Sequence, residues 1–181
     1  AYALAGGVGT FVDVAGNDRY DTDNFSQGCG YYYGQGLKLD AAGRDVHAAA
    51  RYGQGVGVHY GMGVFLDHGG ADAYASSGPI QNAGGAFDHS LALFVDAGAE
   101  GDVYDLGRSE ALGRADFGAV AIAADLGGDD RYGTKARPGR ASRGGAAVFH
   151  DAAGADDYAA AGGLPNGAVT PDGQGGLAID R

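Results

Sequence analysis

A chain of 181 residues with 37 glycines, a single cysteine and a formal net charge of −11 is far from an ordinary globular composition. Leu, Ile, Val and Phe together number 33, too few for a conventional apolar core, so the chain either stays disordered or packs backbone against backbone. The acidity argues against nucleic acid as a partner, the lone Cys29 rules out an intrachain disulfide, and the longest strongly apolar run, FGAVAIAA at 117–124, is too short to span a membrane.

The chain opens on AYALAGGVGT, which reads as the interior of a repeating unit, so the sequence is expected to be a piece of something longer. A strand-like segment, VGTFVD, then ends at Asp13, and the turn AGNDRY follows at 15–20. The same sequence of events returns with strands ending at Asp40, Asp67, Asp96, Asp125, Asp151 and Asp180, at intervals of 26–29 residues. Fixed spacing in this range is the signature of a stacked repeat architecture. Alternation with period two before each Asp describes a strand with one buried face. Positions one and three before the Asp are rich in Leu, Ile and Val, so Leu37, Leu39, Val64, Leu66, Leu93 and Val95 are expected inside. Small residues recur four before it (Gly36, Gly63, Ala92) and twelve before it (Gly28, Gly55, Gly84), where another layer approaches closely or the chain bends.

After the strands comes D-x-x-G-x-D-x-Y, from which the fourth turn departs with Glu100-Gly101 before Asp102, and the aromatic column reads Tyr20, His47, Tyr74, Tyr104, Tyr132 and Tyr158. Stacked rings would supply apolar area that Leu and Ile do not, and their regularity excludes a disordered tail. The predicted fold is all-β: a single-domain parallel β-solenoid over 1–181, of about six coils of 26–29 residues. A β-propeller needs ~40 or more residues per blade, and Gly at this density disfavours helices by about 1 kcal/mol per residue.

A solenoid would stack Asp18, Asp45, Asp72, Asp102, Asp130 and Asp156 at one corner and Asp13, Asp40, Asp67, Asp96, Asp125 and Asp151 at another. Carboxylates ~4.8 Å apart repel by roughly 1 kcal/mol in water and by more where water is excluded. Two remedies are open: backbone N–H groups of the turns, or a hard dication such as calcium. The segments Gly16–Tyr20, Gly70–Tyr74, Gly128–Tyr132 and Gly154–Tyr158 carry G-x-D-x-Y. This core resembles the calcium-binding nonapeptide repeat of RTX toxins and proteases, G-G-x-G-x-D-x-U-x, although it does not recur every nine residues. The resemblance implies Asp ligands to calcium between turns and an inward-packed aromatic residue.

Eight before the reference Asp, one column brings His59 and Asp88 to adjacent coils beside Tyr32, Tyr60 and His89. A groove there, with His59 as base and Asp88 orienting it, would suit a carbohydrate-active enzyme. No nucleophile elbow, P-loop or dinucleotide fingerprint is present. The basic stretch RYGTKARPGRASR, 131–143, offers a place for an acidic glycan or an acidic neighbour. The expected function is a non-catalytic structural, assembly or adhesive module, secreted, on the cell surface or in the periplasm. Copies of itself or other chains are expected on terminal coils left bare, since neither end carries the pattern of a capping helix.

Overall fold

The computed structural model describes residues 1–78, 81–107, 112–133, 137–158, 164 and 166–181. Among these residues there is no helix, and the chain winds through three parallel sheets, one strand of each per coil. Sheet one holds the short strands β1 (Tyr2–Leu4), β4 (Cys29–Tyr31), β7 (Gly57–Val58), β10 (Ala86–Phe87), β13 (Ala115–Asp116) and β16 (Ala141–Ser142). Sheet two holds β2 (Val8–Asp13), β5 (Gln35–Asp40), β8 (Met62–Asp67), β11 (Leu91–Asp96), β14 (Val120–Asp125), β17 (Ala146–Asp151) and β19 (Gly176–Asp180). Sheet three holds β3 (Arg19–Asn24), β6 (Val46–Arg51), β9 (Ala73–Ser76), β12 (Val103–Asp105) and β15 (Arg131–Tyr132). The structure is a β-solenoid, and its coils follow the sequence repeat. In sheet two Asp13 pairs with Asp40, then in turn Asp67, Asp96, Asp125, Asp151 and Asp180.

The two small-residue columns do different work. Gly63, four before its Asp, lies so close to sheet one that a Cβ would collide with the Val56 carbonyl. Gly28, twelve before, turns the corner at φ +87°, a conformation that suits glycine, and a Cβ there would strike the Val64 carbonyl. Layers this near leave room for little more than backbone. Along one line the rings of Tyr20, His47, Tyr74, Tyr104, Tyr132 and Tyr158 stack at centroid separations of 4.5–5.2 Å. Phe65, Phe94 and Phe149 meet this stack edge-on.

One expectation is overturned. Leu37, Leu39, Val64, Leu66, Leu93 and Val95 are not core residues; they are only half-buried and line the outer face of sheet two. Tyr74 is fully buried, as expected. Inside instead are the reference aspartates from Asp40 onward and residues two before them, Lys38, Phe65, Phe94, Ala123 and Phe149. The cause lies in the tyrosines: their hydroxyls bind the reference carboxylates from within the coil. With period two, an inward Asp turns positions one and three outward.

One end also differs from expectation. At the C-terminal side β18 (Val169–Pro171) runs antiparallel along β19, so the chain itself covers that edge of sheet two. Pro171 lies in this outermost strand, where a missing N–H donor is tolerated. At the other end β1, β2 and β3 each have a partner strand on one side only.

Candidate cation centre

The two aspartate columns, expected at separate corners, converge inside the solenoid. Asp40, Asp67, Asp96, Asp125 and Asp151 are buried, and so are Asp45, Asp72, Asp102, Asp130 and Asp156. Turn glycines make this possible. Gly70, at φ +146°, lies so tightly on the coil before it that a Cβ would run into the Gly43 carbonyl.

The second aspartates form a ladder along the axis. The backbone N–H of Asp18 donates to Asp45 Oδ1 at 2.6 Å, and that of Asp45 to Asp72 Oδ1 at 2.6 Å. The Asp72, Asp102 and Asp130 N–H groups donate to Asp102, Asp130 and Asp156 Oδ1 at 2.5, 2.7 and 2.7 Å. The reference aspartates cap their own turns: Oδ1 of Asp96 and Asp125 accepts from the N–H of Gly98 and Gly127 at 3.0 and 3.1 Å. Own-turn capping therefore belongs to the first aspartate, and a bond between coils to the second.

These bonds use one oxygen of each carboxylate. Oδ2 of Asp45, Asp72, Asp102, Asp130 and Asp156 is buried with no hydrogen-bond partner. An orphaned buried carboxylate oxygen is costly, so each needs a proton or a cation. The tyrosines serve the other column. Tyr74 Oη lies 3.1 Å from Asp67 Oδ2 and 2.6 Å from Asp96 Oδ2. Tyr132 Oη sits likewise between Asp125 and Asp151, at 3.2 and 2.8 Å. A phenol has one proton to donate, and Tyr104 and Tyr158 add theirs to Asp125 and Asp151 at 2.5 Å, so the tyrosines supply the reference aspartates and none of these bonds reaches the second column.

Burial, reinforced by neighbouring carboxylates, pushes Asp72, Asp96 and Asp151 up to about 7 and Asp102 and Asp130 up to about 9. Asp125 and Asp156 rise for the same leading reason. Without a cation, the interior holds protons at neutral pH.

Four groups gather ligand atoms within 4.8 Å of one another among the described residues: Asp40, Asp45, His47 and Asp67; Asp72, Asp96 and Asp102; Asp102, Asp125 and Asp130; Asp130, Asp151 and Asp156. Asp13 and Asp18, on the first coil, belong to none of them. The first group differs in kind, because the protein supplies its own cation. Lys38, 1% exposed, places Nζ 3.3 Å from Asp40 Oδ2, 2.8 Å from His47 Nδ1 and 3.2 Å from the centre of the Tyr20 ring. His47 Nε2 lies 3.2 Å from Asp67 Oδ2. Burial raises the Asp67 carboxyl, but the hydrogen bond and charge of His47 outweigh it, and the pKa falls below the usual value. In the other three groups Phe94, Ala123 and Phe149 stand where Lys38 stands, and the donors are carboxylates alone. An all-oxygen set of this kind fits a hard cation such as calcium.

Sequence reading missed Lys38. The available signal was a paired exception: one coil carries Lys where others carry Phe or Ala, and His where others carry Tyr. The tyrosine hydroxyls were overlooked as well, since the column was read only for its apolar area.

At the turn from sheet one to sheet two, the expected cluster assembles. His59 Nδ1 lies 2.7 Å from Asp88 Oδ2, and Tyr32 packs 4.9 Å from the His59 ring. His89 Nδ1 lies 2.9 Å from the other oxygen of Asp88, so that carboxylate is shared by two imidazoles. Their hydrogen bonds hold the Asp88 carboxyl below the usual range. Tyr33, Tyr60 and His89 stack in a row at 5.2 and 5.4 Å, and all three stay exposed. Tyr32, Tyr33, His59, Tyr60, Asp88 and His89 all take left-handed φ of 46–61°, which is costly for non-glycine residues. Of the basic stretch, Arg143 binds Asp116 at 2.8 Å and covers the Phe117 ring at 3.9 Å. Lys135 lies outside the described residues.

No family model matches the chain, and no curated protein or solved structure matches it either. No helix among the described residues is long and apolar enough to cross a membrane.

Proposed function

We propose that this chain is a non-catalytic structural solenoid, an assembly or adhesive module, whose coils are locked together by calcium bound to the buried aspartates. One observation carries the reading: three buried carboxylate groups contain unpartnered oxygens and no cation, whereas the fourth has Lys38 beside it. The likeness of the turns to the RTX repeat points the same way. A module of this kind belongs where calcium is plentiful, in secretion, on a cell surface or in a periplasm, with other protein chains or glycans as partners. Calorimetric titration of the Asp130→Asn variant tests the proposal, because Asp130 serves two of the three groups. Bound calcium is expected to fall from three ions to one. Equal uptake by variant and parent would overturn the assignment.

The His59–Asp88 contact supports a second reading, a carbohydrate-active site with His59 as base. It requires depolymerisation of a polysaccharide by the intact chain, abolished in His59→Ala. The sharing of Asp88 between two imidazoles favours the structural reading, which expects no turnover from either protein.

A further inference from the structure

The outer face of sheet two presents three outward columns, one, three and five residues before each reference aspartate. Over the seven repeats this makes 21 positions, 20 of them within the parallel strands and Gly175 just before β19, and none is Asp, Glu, Lys or Arg. The chain as a whole has 35 charged residues among 181. None of the 21 is buried, and Leu91, Val120 and Ile122 are 40–42% exposed. Charge is thus kept off a flat, apolar surface that the fold does not cover, whereas the outer side of sheet three carries Arg19, Asp21 and Asp105. Contiguous apolar surface of this kind marks an interaction site.

We propose that this face packs against the same face of a second copy of the chain. Seven strands at ~4.8 Å and six residues at ~3.3 Å give a face of roughly 600 Å² per copy. Two such faces bury about 1,200 Å² in total, which reaches the range of specific protein interfaces. The side-chain rows of both copies repeat at the same strand spacing, so the ridges of one can seat between those of the other in an aligned sheet-on-sheet arrangement. A two-fold axis makes one patch sufficient for both partners. Electrostatics favour the same choice. Two chains of net charge −11 repel everywhere except through a charge-free face, and an anionic membrane surface would repel the chain as well. A partner selected by its charge would find nothing on this surface to read.

Sedimentation and light scattering of the full chain across micromolar concentrations give the test, in calcium and in chelator, because the contact does not depend on the metal. The expected mass is twice 18.0 kDa. Val64→Lys with Leu93→Lys, on neighbouring outward positions of β8 and β11, should weaken the dimer more than tenfold, since two unpaired charges would be buried on association. Circular dichroism would confirm that the variant stays folded. If it does not fold, a thiol at Leu93→Cys replaces it, because the native Cys29 is buried. That thiol should cross-link two copies on oxidation, and one at Val103→Cys, 37% exposed on sheet three, should not. A parent chain that stays monomeric throughout, a lysine variant that still dimerises, or a monomer that pellets with phospholipid vesicles would each overturn the proposal.

Discussion

Calcium added to the chelator-treated chain at pH 8 raises its melting midpoint by on the order of 15 °C or more. The size follows from the number of groups without a cation of their own. A ligand at a hundredfold excess over its dissociation constant stabilises the folded state by about 2.7 kcal/mol per site. Three sites give roughly 8 kcal/mol, and a chain of this size gains ~2–4 °C per kcal/mol. The unfolded chain has no comparable site, since the ligands of each group come from neighbouring coils. Asp72 and Asp102 are 30 residues apart in sequence, yet the N–H of one is bonded to the carboxylate of the other. Magnesium, which requires six oxygens at short and regular distances, should stabilise much less. Scanning calorimetry with each ion checks the result, and a midpoint that neither calcium nor chelator moves would leave protons as the sole guests of the interior.

Metal-free protein becomes less stable as pH rises from about 4 to about 9. Asp72, Asp96 and Asp151 titrate near 7 in the folded chain, and Asp102 and Asp130 near 9. In the unfolded chain they release their protons near 4. Between those limits the folded state binds more protons, so unfolding becomes easier with each step in pH. One group costs about 1.4 kcal/mol for each unit of pH through which it alone stays protonated. Partial exposure to water reduces the total, yet a fall of ~10 °C between pH 5 and pH 9 is a modest expectation. Asp67 acts in the opposite sense: its lowered pKa adds stability above the unfolded value, which disappears as pH falls through the folded one. The metal-free optimum is therefore mildly acidic. With calcium in place of the protons the decline should vanish, and melting curves across pH in chelator and in calcium display both halves of the effect. A flat profile in chelator would mean that the aspartates are not held protonated.

Repeat length, strand register and the aromatic stack were all legible in the sequence, because each leaves a mark at one fixed interval. The inward face was not. Alternation assigns residues to two faces but does not say which is inside, and the usual guide, apolarity, points the wrong way here. Leu66 and Val95 look like core residues beside Asp67 and Asp96, yet the aspartates lie inside because Tyr74 bridges them. A hydroxyl bound to an acid inverts the normal preference at Asp13, Asp67, Asp96, Asp125 and Asp151. Both aspartate columns were visible as candidate ligands, but a linear reading could not bring them into one cluster. That requires the corner between sheets two and three, built by stacked turn glycines such as Gly70. Lys38 was hidden for another reason: a lone exception in a column is invisible until the column is known to face inward.

Equilibrium dialysis against calcium at pH 8, followed by elemental analysis, tests the central claim most directly. The account predicts three calcium ions per chain, and a fourth in the Lys38→Phe, His47→Tyr double variant, where the built-in cation is gone. A protein that returns from dialysis folded and free of calcium would contradict it.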